Sequence, residues 1–124
     1  MVNIKKGELI CFESDRWGHL LENPSGSISQ AIYSQTGARN LILLANPSVP
    51  VGWDEEVEIV VYKLLETEPQ FVFSDKTRAT TSASAPDLIE VGLTLHHTPW
   101  GRGTYRIVLH FNKVIVAQGQ LDIL

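Results

Sequence analysis

A single cysteine, Cys11, stands in 124 residues, so no disulfide can form within the chain, and the paired cysteines usual in small extracellular domains are missing. A reducing compartment is the expectation. Basic residues are also scarce: ten Lys and Arg against fourteen Asp and Glu give a formal charge of −4 and a pI near 5.5, the reverse of the footprint that binds phosphate backbones. Nucleic acid is not an expected partner. Nothing in the sequence approaches the roughly 20 apolar residues of a membrane helix. The run Leu9-Ile10-Cys11-Phe12 passes into Glu13-Ser14-Asp15-Arg16 before the apolar stretch of a signal peptide can build up. The expectation is therefore a cytoplasmic protein with no membrane partner.

Catalytic and cofactor motifs are missing too. There is no Gly-x-Ser-x-Gly nucleophile elbow. Gly101-Arg102-Gly103 is too short for a phosphate-cradling loop and opens a strand instead of a helix. Cys11 lies in an apolar run with no basic neighbour to lower its pKa, and is expected to be a small core residue. Glu55 and Glu56 are adjacent, hence face apart on a strand and do not form the carboxylate pair of a glycosidase. No cofactor is implied, no catalytic residue is assigned, and an enzyme is not expected.

What is present is β-pattern. Apolar residues make up 44% and charged residues 19%, which suits one folded domain spanning residues 1–124. From Glu56 onward, β-branched and aromatic residues alternate with polar ones between loops rich in Gly, Pro, Ser and Thr. Strands are expected at Glu56–Leu65, Gln70–Phe73, Leu88–His97, Gly103–Asn112 and Val114–Ile123. Pro69 marks a break. Ile89, Val91, Leu93 and Leu95 share one face, and Tyr105, Ile107, Leu109 and Phe111 share another, as in sheets with one solvated side. The last two strands should pair so that Phe111 meets Ile115, Leu109 meets Ala117, Ile107 meets Gly119 and Tyr105 meets Leu121. Either a three-residue loop at Asn112-Lys113-Val114 or a bulge of equal effect achieves this.

The first half is less regular. Glu8–Glu13, Trp17–Glu22 and Arg39–Ala45 are candidate strands, and Ser27–Ser34 fits a strand or one short helix equally. Thr77–Pro86 is of low complexity and is expected to be a mobile loop or an irregular edge segment. The acidic group Asp54-Glu55-Glu56 with Glu58 suits solvated charges at the start of a strand. About eight or nine short strands are solved most economically by an all-β, antiparallel sandwich, with a closed barrel as the alternative.

The last third resembles the end of an immunoglobulin-like or fibronectin-type-III-like sandwich domain of small bacterial proteins. The residues that carry the likeness are Gly103-Thr104-Tyr105-Arg106-Ile107-Val108-Leu109, Phe111-Asn112-Lys113 and Gly119-Gln120-Leu121-Asp122-Ile123. The resemblance implies a position like the tyrosine corner for Tyr105, with its ring buried and its hydroxyl returned to nearby backbone. The cysteine pair and core tryptophan of antibody domains are not matched, and such folds host many functions.

Candidate binding residues follow from the loops. Trp17, Trp53 and Trp100 each stand beside a glycine and a charged residue, and an exposed loop aromatic is a common anchor for a protein hot spot or a stacked sugar. The alternative is that each plugs an end of the sandwich. Trp100, with Arg102 and His97 close in sequence, is the foremost binding candidate, and Trp53 follows. The leading expectation is a non-enzymatic interaction module that presents these loops to a protein partner. A small lectin, stacking Trp100 on a sugar with Arg102, His97 or Asp54 bonding hydroxyls, is the second expectation.

A hydrolase or metal site at His96 and His97 is the third. Those neighbours point apart on a strand, and no third ligand is spaced to join them, so no metal is assigned. His19 and His110 are solitary. Self-association could use the terminal strand, whose end Leu121-Asp122-Ile123-Leu124 carries no polar tail, or an apolar sheet face around Val60, Tyr62 and Leu64.

Overall fold

A computed structural model describes residues 4–14, 39–81, 87–95 and 103–123. Within them every regular element is a strand: β1 (Leu9–Ser14), β2 (Arg39–Ala45), β3 (Glu56–Leu64), β4 (Pro69–Arg78), β5 (Thr80–Thr81), β6 (Ile89–Leu95), β7 (Gly103–Phe111) and β8 (Val114–Ile123). They form two antiparallel sheets of four, ordered β1-β2-β6-β5 and β4-β3-β7-β8. No helix among the described residues is long and apolar enough to cross a membrane. The segments Trp17–Glu22 and Ser27–Ser34 lie outside the described residues.

The period-two pattern explains the layering. Leu9, Cys11, Leu43, Ala45, Ile89, Val91 and Leu93 from the first sheet meet Val57, Ile59, Val61, Tyr105, Ile107, Leu109 and Leu121 from the second in one buried cluster. Alternate residues face out, as strand geometry requires. The arrangement is that of a β-sandwich, with its two sheets closed on one core.

The β7–β8 hairpin reaches the expected inner register by the second of the two routes. Asn112 and Lys113 form a two-residue turn, both with positive φ (52° and 66°), the backbone that matches the twist of tightly joined strands. Phe111 pairs with Val114 instead of the expected Ile115, which meets His110 because the turn is one residue shorter; past the register shift, Leu109 pairs with Ala117, Ile107 with Gly119 and Tyr105 with Leu121. Val116 is the extra residue of a bulge, and it and Ala117 are both buried. A bulge lets two successive side chains turn inward, which alternation alone forbids.

Two expectations change. The strand expected over Gln70–Phe73 runs from Pro69 to Arg78, because Ser74–Arg78 pair with Glu56–Val60 despite their polarity. An edge strand tolerates polar and charged residues, and a proline at its first position. Part of Thr77–Pro86 is consequently ordered: Thr77 and Arg78 close β4, Ala79 is buried, and Thr80–Thr81 pair with β6 at the edge of the first sheet.

A strap links the sheets. The backbone N–H of Gln118 donates to the Gly7 carbonyl at 3.1 Å and that of Ser48 donates to the Val116 carbonyl at 2.8 Å. Asn46 organises the strap: its N–H donates to Glu8 O, its carbonyl accepts from Gly7 N–H, and its side-chain amide donates to Ile4 O at 2.9 Å. Gly7 has φ +87°, a conformation that other residues adopt only with strain. Part of the β8 edge, open in the sequence reading, is thus occupied by the chain's own residues.

Candidate functional site

Most of the described loops gather at one end of the sandwich, the turn at residues 65–68 between β3 and β4 lying at the other. Ala45 pairs with both Leu9 and Ile89, while Glu56 opens β3 beside Arg78 and the β7–β8 turn. The 46–55 connection therefore lies near residues 79–81 and 112–113. Trp53 sits at its tip, 68% exposed.

The turn beneath Trp53 is held in place. Glu55 N–H donates to Gly52 O, Asp54 N–H donates to Ala79 O at 2.7 Å, and Ala79 N–H donates to Glu55 O at 2.9 Å. Asp54 takes φ 65°, which Asp tolerates better than most residues. The Arg78 guanidinium donates to the Asp54 carbonyl at 2.8 Å and stands 3.9 Å from its carboxylate. An exposed indole on a backbone tied to a buried alanine is a preorganised anchor, because little loop entropy remains to be lost on contact.

A cleft of about 430 Å3 opens beside this turn, lined by Glu55, Glu56, Glu58, Lys76, His110 and Lys113 among others. His110 Nδ1 lies 3.5 Å from Glu58 Oε1, half-buried. In the sequence His110 is solitary, since 52 residues separate it from Glu58 and only the β3–β7 register, which pairs Glu58 with His110, joins them. A second cleft of about 470 Å3 lies near the strap, lined by Pro47, Val49, Pro50, Val51 and Ile89 with Lys6, Asn46 and Asp87. Both have the size of ligand sites, but in both at least half of the accessible lining is polar, where such sites favour a mainly apolar one with a few convergent polar groups.

The chemical options are limited. No group of three His, Cys, Asp or Glu among the described residues could hold a metal ion. Cys11 is buried, and burial pushes its thiol up to about 12, so it carries no thiolate at neutral pH. Tyr105 is fully buried, with Lys63 Nζ 5.7 Å from its ring centroid, and burial raises its pKa.

Trp100, Arg102, His97 and His96 lie outside the described residues, as do Trp17 and His19. The strand ends that flank 96–102 are described: Leu95 pairs with Arg39, and Gly103 with Ile123. Both stand at the end of the sandwich opposite Trp53. Of the expected binding residues, Trp53 is the one the described structure exhibits.

The fold and this end define an all-β, two-sheet domain with an anchored loop tryptophan. No protein-family model matches the chain, and no curated protein resembles it closely enough to count as a relative.

Proposed function

We propose that the chain is a non-enzymatic interaction module of the immunoglobulin-like kind, and that it docks a protein partner through the end bearing Trp53. The observation that carries this reading is the 68% exposure of Trp53 on a turn tied to Ala79 by two backbone hydrogen bonds. A large aromatic held out in water on a rigid support is costly to leave uncovered and effective when covered. Strand order supports the fold type. Lettered A, B, C, C′, D, E, F and G in chain order, the strands read A-B-E-D against C′-C-F-G, and immunoglobulin-like sandwiches use this order. Tyr105, buried as the third residue of β7, agrees with a tyrosine-corner position. In that topology the B–C and F–G loops share one end, and here they carry Trp53 and Asn112-Lys113.

The test is photo-crosslinking from residue 53 in cells of the source, followed by titration of the captured partner, purified, against the parent and Trp53→Ala. A hot-spot tryptophan lost should weaken binding at least about tenfold, with an unchanged circular dichroism spectrum. Equal binding by both proteins would remove this reading. A glycan array with the same pair tests the carbohydrate alternative, in which Asp54 would have to leave Arg78 to bond a sugar hydroxyl.

A further inference from the structure

Leu9, Ala45 and Ile89 stand side by side where β1, β2 and β6 meet. Beyond that row the three chains run on as the walls of the 470 Å3 cleft. Residues 46–51 form its middle, Lys6 lies on one flank and Asp87 on the other. Its base is apolar, with Pro47 buried, Val51 7% exposed and Ile89 2%.

Three polar side chains complete the lining. Lys6 and Asp87 are exposed, and neither forms an ion pair with the other or with any other described residue. One cleft therefore carries two opposite charges that do not neutralise each other. Adjacent chains in a sheet lie about 4.8 Å apart, so backbones on either side of a middle chain are about 10 Å apart. Asn46 adds an acceptor: its Nδ2 is committed to Ile4 O, while its Oδ1 has no hydrogen bond among the described residues.

The walls are set before a ligand arrives. Gly7 N–H donates to Asn46 O at 2.6 Å, Asn46 N–H donates to Glu8 O at 3.0 Å, and Ser48 N–H is fixed to Val116 O. Pro47 adds a locked φ. Binding here has little loop ordering to offset.

The lining selects the ligand. A wholly apolar molecule would leave the polar half of the cleft without partners, and a simple ion would meet one charge of its own sign. An ammonium and a carboxylate at opposite ends of an apolar body meet both. In a single amino acid the two charges share one carbon and cannot reach both flanks. Two extended residues span about 7 Å, and a charge-assisted bond of about 2.8 Å at each end brings the reach to about 12 Å, in keeping with Lys and Asp backbones about 10 Å apart.

We propose that this cleft binds a free dipeptide with apolar side chains. Its ammonium meets Asp87, its carboxylate meets Lys6, its peptide N–H donates to Asn46 Oδ1, and its side chains cover Pro47, Val51 and Ile89. Trp53 does not line the cleft, so this site and the Trp53 docking end succeed or fail separately.

Titration of the isotope-labelled full chain with the dipeptide Leu-Val, followed by amide chemical shifts, tests it. Saturable shifts are expected at Lys6, Val51 and Ile89, half-complete at or below about 1 mM, and equally in Trp53→Ala. N-acetyl-Leu-Val should bind the parent about three- to fivefold more weakly, the increment of an exposed ion pair. Asp87→Asn, with an unchanged circular dichroism spectrum, should bind the acetylated and free peptides alike. Leu-Val amide and Lys6→Gln should show the same relation at the other end. Aminocaproate, which holds its charges at a similar span without side chains, should bind at least about tenfold more weakly than Leu-Val. No saturable shift up to about 10 mM Leu-Val overturns the proposal. So do capped and free peptides that bind the parent equally, charge variants that still tell them apart, aminocaproate that binds as well as Leu-Val, and a Trp53→Ala protein that no longer binds.

Discussion

β4 and β8 are each ten residues long and stand at opposite edges of one sheet, yet they are finished by different means. On β8 the backbone at residues 116 and 118 is taken up by Ser48 and Gly7, so the strand is held to the first sheet by chain that arrives from the other layer. β4 has no strand beyond it among the described residues, and exposes Ser74, Asp75, Lys76 and Arg78 instead. One edge is closed by main-chain hydrogen bonds and the other by charge. Both devices discourage a foreign strand from adding to the sheet, but only the first also stabilises the fold. Substitutions at β8 and its strap should therefore be felt in stability far more than those along β4.

The largest effect is expected at Gly119. A Cβ built there would lie inside contact distance of the Leu9 carbonyl oxygen and 2.8 Å from Leu9 Cδ1. Backbone cannot yield as a flexible side chain does, so Gly119→Ala must push β1 away from β8 or deform the bulge. Overpacking of this kind should cost about 2 to 3 kcal/mol, read as a lower urea midpoint. A midpoint equal to the parent's would mean that the strap is not closely seated. Asn46→Ala comes next. It removes the amide that donates to Ile4 O, a carbonyl on a residue only 7% exposed, and leaves that acceptor without its partner at a cost of about 1 to 2 kcal/mol. Hydrogen exchange should report the loss at Gly7 and Gln118 before it appears in the core strands.

The difference between the two edges was only half visible in the amino-acid order. Hydrophobic alternation marks β3, β6, β7 and β8 because each has one face in the core, and it also selects the inner register of the last hairpin: only that register buries Leu109 with Ala117 and Tyr105 with Leu121. It could not decide how the register is reached. Two positive-φ residues that are not glycine, Asn112 and Lys113, hold the turn, and Val116 absorbs the offset. In β4 the pattern marks only Gln70–Phe73, because Ser74–Arg78 has no apolar face. What orders that stretch is pairing with β3, a non-local term that local pattern does not contain.

The same holds for the site. Trp53 was legible as an aromatic beside Gly52 and Asp54, but its support comes from Ala79, 26 positions away, and Glu58 meets His110 only through strand pairing. Cys11 was legible throughout, since a small apolar residue in an alternating run needs no distant partner to be placed in the core.

The smallest expected effect tests the β4 side. Arg78 closes β4 and donates to the Asp54 carbonyl from a mostly exposed position, with its side chain 63% accessible. Water competes for such a contact, and an exposed ion pair at 3.9 Å contributes little. Arg78→Ala should therefore shift the urea midpoint by the equivalent of less than about 1 kcal/mol, well below either strap variant. Its consequence should be local instead. The Asp54 N–H and Ala79 N–H bonds remain, so the turn persists, but the guanidinium that fixes the Asp54 peptide is gone and the indole of Trp53 gains freedom. Time-resolved fluorescence anisotropy of a variant retaining Trp53 as its one tryptophan should show faster local motion in the Arg78→Ala background. A loss of stability as large as that of Asn46→Ala would erase the contrast between the two edges. Unchanged anisotropy would show that the two backbone bonds to Ala79 and Glu55 hold the anchor without help from the side chain.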